Sequence, residues 1–579
     1  MILGAFLSML GVLVGFYHSR QDSSQTTFRF SAALQDPNPA RQEENPPWWK
    51  ERVFYHVYLP SFQDSNGDGV GDLRGLTQRL SYLKSLGIGA VWISSIHPSS
   101  EDDFGHDVTD YYGIHPKLGT WSDFKDLMAE AKKCDLKIVL DLLVNHTSRL
   151  HPWFIEARRS KQSPKRDWYL WRDQPNNWIS RLDESVWEYD SGSHQYYLHS
   201  FFREQPDLNW RNSAVVDEVL EIMKFWLKNG VEGFRLDLAN CYLKEKHLKN
   251  NPSTFLSMRW VQSFFYRYWS QEHSNDRDRW EELQGIFLQV RHLTDEYNAV
   301  LLAENDVDFG EGLYAASQLR GLKGEGVPLA FDSDLWSLNL GAQAFQEKWT
   351  EIETSSSSSD WPINSFSHQN RVRHYTRFGN SDEKARLAAF LLMTMRGTPV
   401  VYYGEEIGIR EGEGHWEEGP DPLHRIMSKA AWFRYWTGSP YIPLKRQESR
   451  TPMQWETREY KGFSSHAPWI PFSSATDSVE EQSDDYRDSI YWLYRKLIYF
   501  RTQSAALRLG NQKIHSTANP NLLLISRSYE QNTVWVLFNF GSQTIQLQHE
   551  QEASVLICSS STCTSEEVEP WSGLALSYQ

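Results

Sequence analysis

Short apolar runs recur along this chain, and several end on a carboxylate or on Asn-His. Val53–Leu59, Gly89–Ile96, Lys137–Val144, Val231–Leu238 and Val300–Glu304 are rich in β-branched and aromatic residues, the composition of buried strands. Amphipathic stretches separate them: Leu73–Leu86, Trp121–Cys134, and a stripe of Val215, Val219, Ile222, Met223, Trp226 and Leu227 at helical spacing, closed by Gly230. Pro328–Leu335, Trp361–Ser367 and Pro399–Tyr403 add three more strand candidates. Strand and helix in alternation predict an α/β fold, and eight such strands a (β/α)8 TIM barrel.

Two regions break the alternation. Residues 147–211 are rich in Trp, Tyr, Arg and Asp and too long for a plain loop, so they read as a subdomain inserted after the third strand. Across 506–579, runs such as Leu522–Ser526 and Val534–Phe540 follow one another without helices, the pattern of a C-terminal antiparallel β domain. Segments 48–146 and 212–505 then form the barrel. Residues 1–17 are apolar and carry no charged side chain, as a signal peptide or a short membrane anchor would. They place the remainder in the secretory pathway. Residues 18–47 are Ser, Gln, Pro and charge, and read as a flexible linker.

Composition narrows the function. A net charge of −16 over 579 residues argues against nucleic acid, because phosphate binding needs clustered cations. The 25 Trp, 27 Tyr and 29 Phe suit large cores and stacking on sugar rings equally. Cys558 and Cys563 are near enough to close a small loop, whereas Cys134 and Cys241 sit in apolar segments as buried thiols.

The chemistry gathers at strand ends. In Gly233-Phe234-Arg235-Leu236-Asp237, Arg and Asp are two apart and emerge on one face of a strand. Glu304 ends the next strand. Two carboxylates at one barrel mouth are what retaining glycoside hydrolysis requires, about 5–5.5 Å apart. Arg235 would keep Asp237 ionised, and His146 could donate to a sugar hydroxyl. Upstream, Asp64, Asn66, Asp68 and Asp72 alternate with glycines that permit a tight loop, a donor set suited to Ca²⁺.

These motifs resemble the α-amylase superfamily (glycoside hydrolase family 13), specifically the maltase/α-glucosidase branch that includes rBAT-type heavy chains of amino-acid transporters. Asp141 to His146 matches its Asp-x-x-x-Asn-His and Gly233 to Asp237 its Gly-Phe-Arg-x-Asp. The resemblance extends from Trp48 to the end of the chain. It implies Asp237 as nucleophile and Glu304 as acid/base. Asp107, Tyr111, His146, Arg235, His368 and Arg371 would contact sugar. Calcium would take Asp64, Asn66, Asp68, the Val70 carbonyl and Asp72, with a second ion at Asn145, Asp173 and Glu204.

One motif departs from the pattern. The family's last region, Asn-His-Asp, carries an Asp that supports the transition state. Here the segment from Trp361 to Arg371 offers Ser367, His368 or Gln369 at that place, depending on register, and no carboxylate. Loss of one preorganised electrostatic contact costs about 2.7–4 kcal/mol. The broken set and the apolar leader together predict an rBAT-like accessory subunit that associates non-covalently with a polytopic transporter light chain. The alternative is a secreted or membrane-anchored retaining α-glucosidase acting on α-glucosides.

Overall fold

The computed structural model describes residues 27–30, 45–180, 184–250, 277–305, 311–321, 324–355, 360–412, 446–474, 477–485, 489–560 and 562–578. The apolar leader expected at 1–17 lies outside the described residues.

Eight parallel strands form the central sheet: β1 (Phe54–Val57), β2 (Ala90–Ile93), β3 (Lys137–Leu142), β4 (Gly233–Leu236), β5 (Val300–Ala303), β6 (Leu329–Ala330), β7 (Ile363–Asn364) and β8 (Thr398–Tyr402). Their order is β6-β5-β4-β3-β2-β1-β8-β7, each neighbour parallel to the next, which is a (β/α)8 barrel laddered everywhere except between β6 and β7. Helices such as α1 (Leu73–Leu86), α2 (Trp121–Lys133), α3 (Ser213–Lys228) and α4 (Arg277–Glu296) lie between strands in sequence. α2 opens on a reciprocal cap between Thr120 and Asp123, and α1 closes on left-handed Gly87.

The two-residue period of the strands sorts side chains into two cores. Phe54, Ala90, Trp92, Val139, Val300, Leu302 and Leu329 share the barrel interior with Trp336. Their neighbours Tyr55, Val91, Ile93, Ile138, Leu140, Phe234, Leu236 and Leu301 pack outward into the layer with the helices. One step further along the inward series, apolar residues give way to His56, Asp141, Arg235 and Glu304, all buried. Gly233 admits this arrangement, since a β-carbon there would stand 2.7 Å from the Val300 carbonyl oxygen.

The insertion forms a three-stranded antiparallel sheet from Trp171–Arg172, Gln195–Leu198 and Trp187–Asp190. The isolated bridge His146–Asp207, with Leu208 N donating to the Asn145 carbonyl at 2.9 Å, fastens it to the end of β3. The C-terminal domain is a five-stranded antiparallel sheet, and Cys558 and Cys563 are joined as a disulfide. Cys241 is buried, but Cys134 is only partly so. Fully buried Arg527 rivets this domain to the barrel, donating to the carbonyls of Thr394 (2.7 Å), Leu507 (3.0 Å) and Gly510 (2.9 Å).

The linker reading fails where that region is described. Thr27–Arg29 is a strand that adds parallel to Ile545–Gln548. Phe30, 4% exposed, lies edge-on to Trp535 at 5.9 Å and stacks on His549 at 5.3 Å. A free sheet edge beside an aromatic slot outweighs local polarity. Phe30→Ala should therefore release this strand, costing about 3–5 kcal/mol of local stability. Hydrogen exchange should speed up at residues 545–548 while the barrel amides remain protected; unchanged exchange at 545–548 would refute the docking.

Candidate active site

Arg235 projects from β4 directly opposite Asp141 on β3 and is fully buried. Its Nη2 pairs with Asp237 Oδ1 at 2.8 Å and also contacts Glu304 Oε2, while Nη1 lies 3.4 Å from Asp141 Oδ1. One guanidinium nitrogen thus brings together the two carboxylates singled out in the sequence. Asp141 also accepts from Trp92 Nε1 at 2.7 Å. Burial pushes its carboxyl up to about 6, against the pull of Arg235. After Asp237 the chain turns sharply through Leu238, a left-handed residue (φ 50°), and Ala239 N donates to the Glu304 carbonyl at 2.9 Å.

Asp237 and Glu304 open on a cavity of about 70 Å³, bordered also by His106, His146, Phe201, Phe202 and Asn370. His146 donates from Nε2 to the His106 carbonyl (3.0 Å), and its Nδ1 lies 3.2 Å from Asn145 Nδ2, so the ring is held on both sides. Burial lowers His106 to about 4. His368 stands 3.3 Å from Glu304 Oε2 and stacks on Trp336 at 4.8 Å. Burial first, and Arg235 second, hold its pKa well below the ordinary imidazole value.

From the segment that lacks a carboxylate, Asn370 and Arg371 border the cavity, while Ser367 is turned to His374 (3.0 Å). Asn370 accepts from Arg450 Nη2 at 2.7 Å. Neither bordering residue is acidic.

Of the six sugar contacts expected from the resemblance, His146 and Arg371 border the cavity, Arg235 and His368 lie behind Glu304, and Asp107 and Tyr111 lie elsewhere. Asp107 is fully buried, and its carboxylate accepts from the Ser99 and Ser100 hydroxyls and from the backbone N–H groups of Asp102 and Asp103. Those four donors turn it into a loop anchor, and burial raises its pKa. Tyr111 donates to the carbonyls of Leu143 (2.8 Å) and His146 (3.1 Å), and so braces the end of β3. The acid that does face the cavity is Asp103, which pairs with Arg446 at 2.5 Å and accepts from Gln205 at 2.9 Å. Asp103 and Arg446 lie 343 residues apart in sequence, and no local motif joins them.

The second calcium set is corrected as well. Asp173 is exposed and bonded to Gln195 (2.8 Å), and Glu204 lies beside Arg149 (3.8 Å) and Arg203 (3.7 Å). Asn145 Oδ1 accepts instead from Lys244 Nζ at 3.1 Å, and that ammonium also pairs with Asp207 at 2.8 Å. A cation built into the chain holds the place. The 64–72 loop presents a different picture. Gly67 and Gly69 are left-handed, and Asn66 and Asp68 accept from the backbone two residues on, at 2.9 Å each. Asp72 caps α1 through Gly75 N (2.7 Å), and Asp64 accepts from the N–H groups of Asn66 (2.9 Å) and Gly67 (2.7 Å). These side-chain oxygens are held by the loop's own backbone N–H groups. Among the described residues, no three His, Cys, Asp or Glu side chains already converge as a metal centre.

Comparison with known proteins settles the family. The model for the alpha amylase catalytic domain matches residues 56–510. The chain belongs to the alpha-amylase family. Relatives of this alpha-amylase family chain include the oligo-1,6-glucosidase of Parageobacillus thermoglucosidasius, 35% identical over 540 residues and covering 86% of this chain and 91% of that protein. The glucan 1,6-alpha-glucosidase of Streptococcus pneumoniae is 33% identical, over 88% and 95%. Among solved structures, trehalulose synthase MutB from Pseudomonas mesoacidophila superposes with a TM-score of 0.79 at 29% identity, covering 92% of this chain and all of that one.

These alpha-amylase relatives overturn the accessory-subunit reading. The two sequence relatives are named as glucosidases, and neither a transporter heavy chain nor a light-chain partner is supported. The secretory, membrane-anchored placement falls with it. It was read from residues 1–17, which lie outside those described, and the glucosidase relatives give it no support; among the described residues no helix is long and apolar enough to cross a membrane.

Replacing Lys244 by Met should leave the Asp207 carboxylate buried without its partner cation, a loss of about 3–5 kcal/mol. A denaturant midpoint within error of the wild type would show that the ammonium contributes nothing there.

Proposed function

We propose that this protein is a retaining α-glucoside hydrolase of the oligo-1,6-glucosidase kind. The observation that carries the reading is the pair Asp237 and Glu304, held on one nitrogen of Arg235 at the edge of a cavity. Asp237 would attack the anomeric carbon as Glu304 passes its proton to the leaving oxygen and the glycosidic bond breaks. Water, deprotonated by Glu304, would then release the sugar and free Asp237. His106, His146 and Asp103 would hold the terminal sugar.

The transition state is cationic, and only neutral Asn370 and cationic Arg371 face it from the side where relatives supply a third carboxylate. Turnover is therefore expected to be slow, by about 10²–10³ relative to a complete set. Purified protein should still release glucose from isomaltose with the α-anomer formed first, and Asp237→Asn should abolish that release. Equal release by the mutant would rule out Asp237 as nucleophile.

We also propose that the 64–72 loop binds one structural Ca²⁺, through Asp64, Asn66, Asp68, the Val70 carbonyl and Asp72. Its alternating oxygens and two left-handed glycines support this. Chelation should lower the melting temperature, and Asp68→Ala should remove that response. A melting curve indifferent to chelator would leave the loop an Asx-turn connection and nothing more.

A further inference from the structure

Asn305 follows Glu304 in sequence and is 1% exposed, yet it does not border the cavity. Its side chain reaches across to the neighbouring strand end. Nδ2 donates to the Phe331 carbonyl at 2.5 Å, and Oδ1 accepts from the Ser333 hydroxyl at 2.9 Å. Both amide functions are thus spent on the three-residue stretch that follows β6.

That stretch is itself clamped. Lys348 Nζ pairs with Asp332 at 3.2 Å and with Asp334 at 2.9 Å, on either side of Ser333. The Phe331 ring lies 5.5 Å from Trp336, and Phe331 N donates to the Ala303 carbonyl at 3.0 Å. On its other side, Glu304 N donates to the Leu236 carbonyl at 3.0 Å. Glu304 is therefore tied to β4 by its own backbone. Toward β6, the side-chain hydrogen bonds are made by the residue that follows it.

We infer that Asn305 and Ser333 form a brace that positions the Glu304 carboxyl for proton transfer. Both are positioning residues, since neither touches the reacting atoms. The inference rests on the reading of Glu304 as acid/base. A side chain that transfers a proton must sit within hydrogen-bond reach of the leaving oxygen, and a displacement of about 1 Å costs on the order of 10²-fold in rate. Loosening the brace should accordingly damage only the steps that need that proton.

Leaving groups make the distinction. The glucose expelled from isomaltose departs as an alkoxide unless protonated, whereas α-glucosyl fluoride loses fluoride with little help from an acid. Ser333→Ala and Asn305→Ala should lower kcat/KM, which reports only the first step, by about 10–10²-fold on isomaltose and leave kcat/KM on α-glucosyl fluoride within about twofold of wild type. Ser333→Thr, which keeps the hydroxyl, should restore isomaltose hydrolysis. A loss shared equally by both substrates, or no loss on isomaltose, overturns the brace. Should Asn305→Ala fail to fold, Ser333→Ala and its Thr counterpart decide alone. Glu304→Gln separates the two levels. If it spares isomaltose hydrolysis, the acid/base assignment itself is wrong. If it abolishes hydrolysis while the brace variants do not, only the brace is refuted.

Discussion

Everything at the mouth of this barrel depends on one buried cation. Arg235 is excluded from water and faces Asp141, Asp237 and Glu304. Burying a guanidinium costs several kcal/mol unless its donors are matched by charge, so the carboxylates are held in place by the same requirement that they satisfy. Three acids around one base leave an excess of negative charge. The excess is relieved where solvent is most distant: Asp141, walled by Trp92, is the acid pushed toward the neutral form. Asp237 and Glu304 stand at the cavity, where a substrate would meet them.

The barrel wall was legible in the sequence because burial on both faces writes continuous apolar runs, and because a charged residue ends such a run where it meets the mouth. Asp237 and Glu304 could be found in that way, each on its own strand. Asp107 could not be judged so. The motif that names it is short, and its orientation is decided by Ser99 and Ser100, whose hydroxyls are as common in ordinary turns as in anchors. Asp103 and Arg446 carried no signal at all, since a pair so distant in sequence is visible only once folded. Lys244 was missed for a related reason: a lysine after a strand resembles surface, and only Asn145 and Asp207 from other segments show it to be buried.

The insertion and the barrel share their polar contacts unevenly. His146, at the end of β3, is oriented by the His106 carbonyl, while Lys244, following β4, grips Asp207 at the far end of the insertion. The insertion also supplies Phe201 and Phe202 to the cavity wall. Shape at the mouth thus comes from a small sheet whose seat on the barrel is electrostatic. The burial of Asn145 within that seat leaves its Asn-His-Thr tripeptide inaccessible to any modifying enzyme in the folded state.

The strand at Thr27–Arg29 bears on how the molecule is made. Arg29 meets Gln548 across 519 positions of sequence. At a synthesis rate of about 5–20 residues per second, the partner of that strand emerges roughly 25–100 s after it. For all of that time Phe28 and Phe30 have no slot to enter, and the barrel must assemble around an unsatisfied apolar end. Docking this segment is therefore among the last events of folding. Closure of this strand reports that synthesis has passed Gln548.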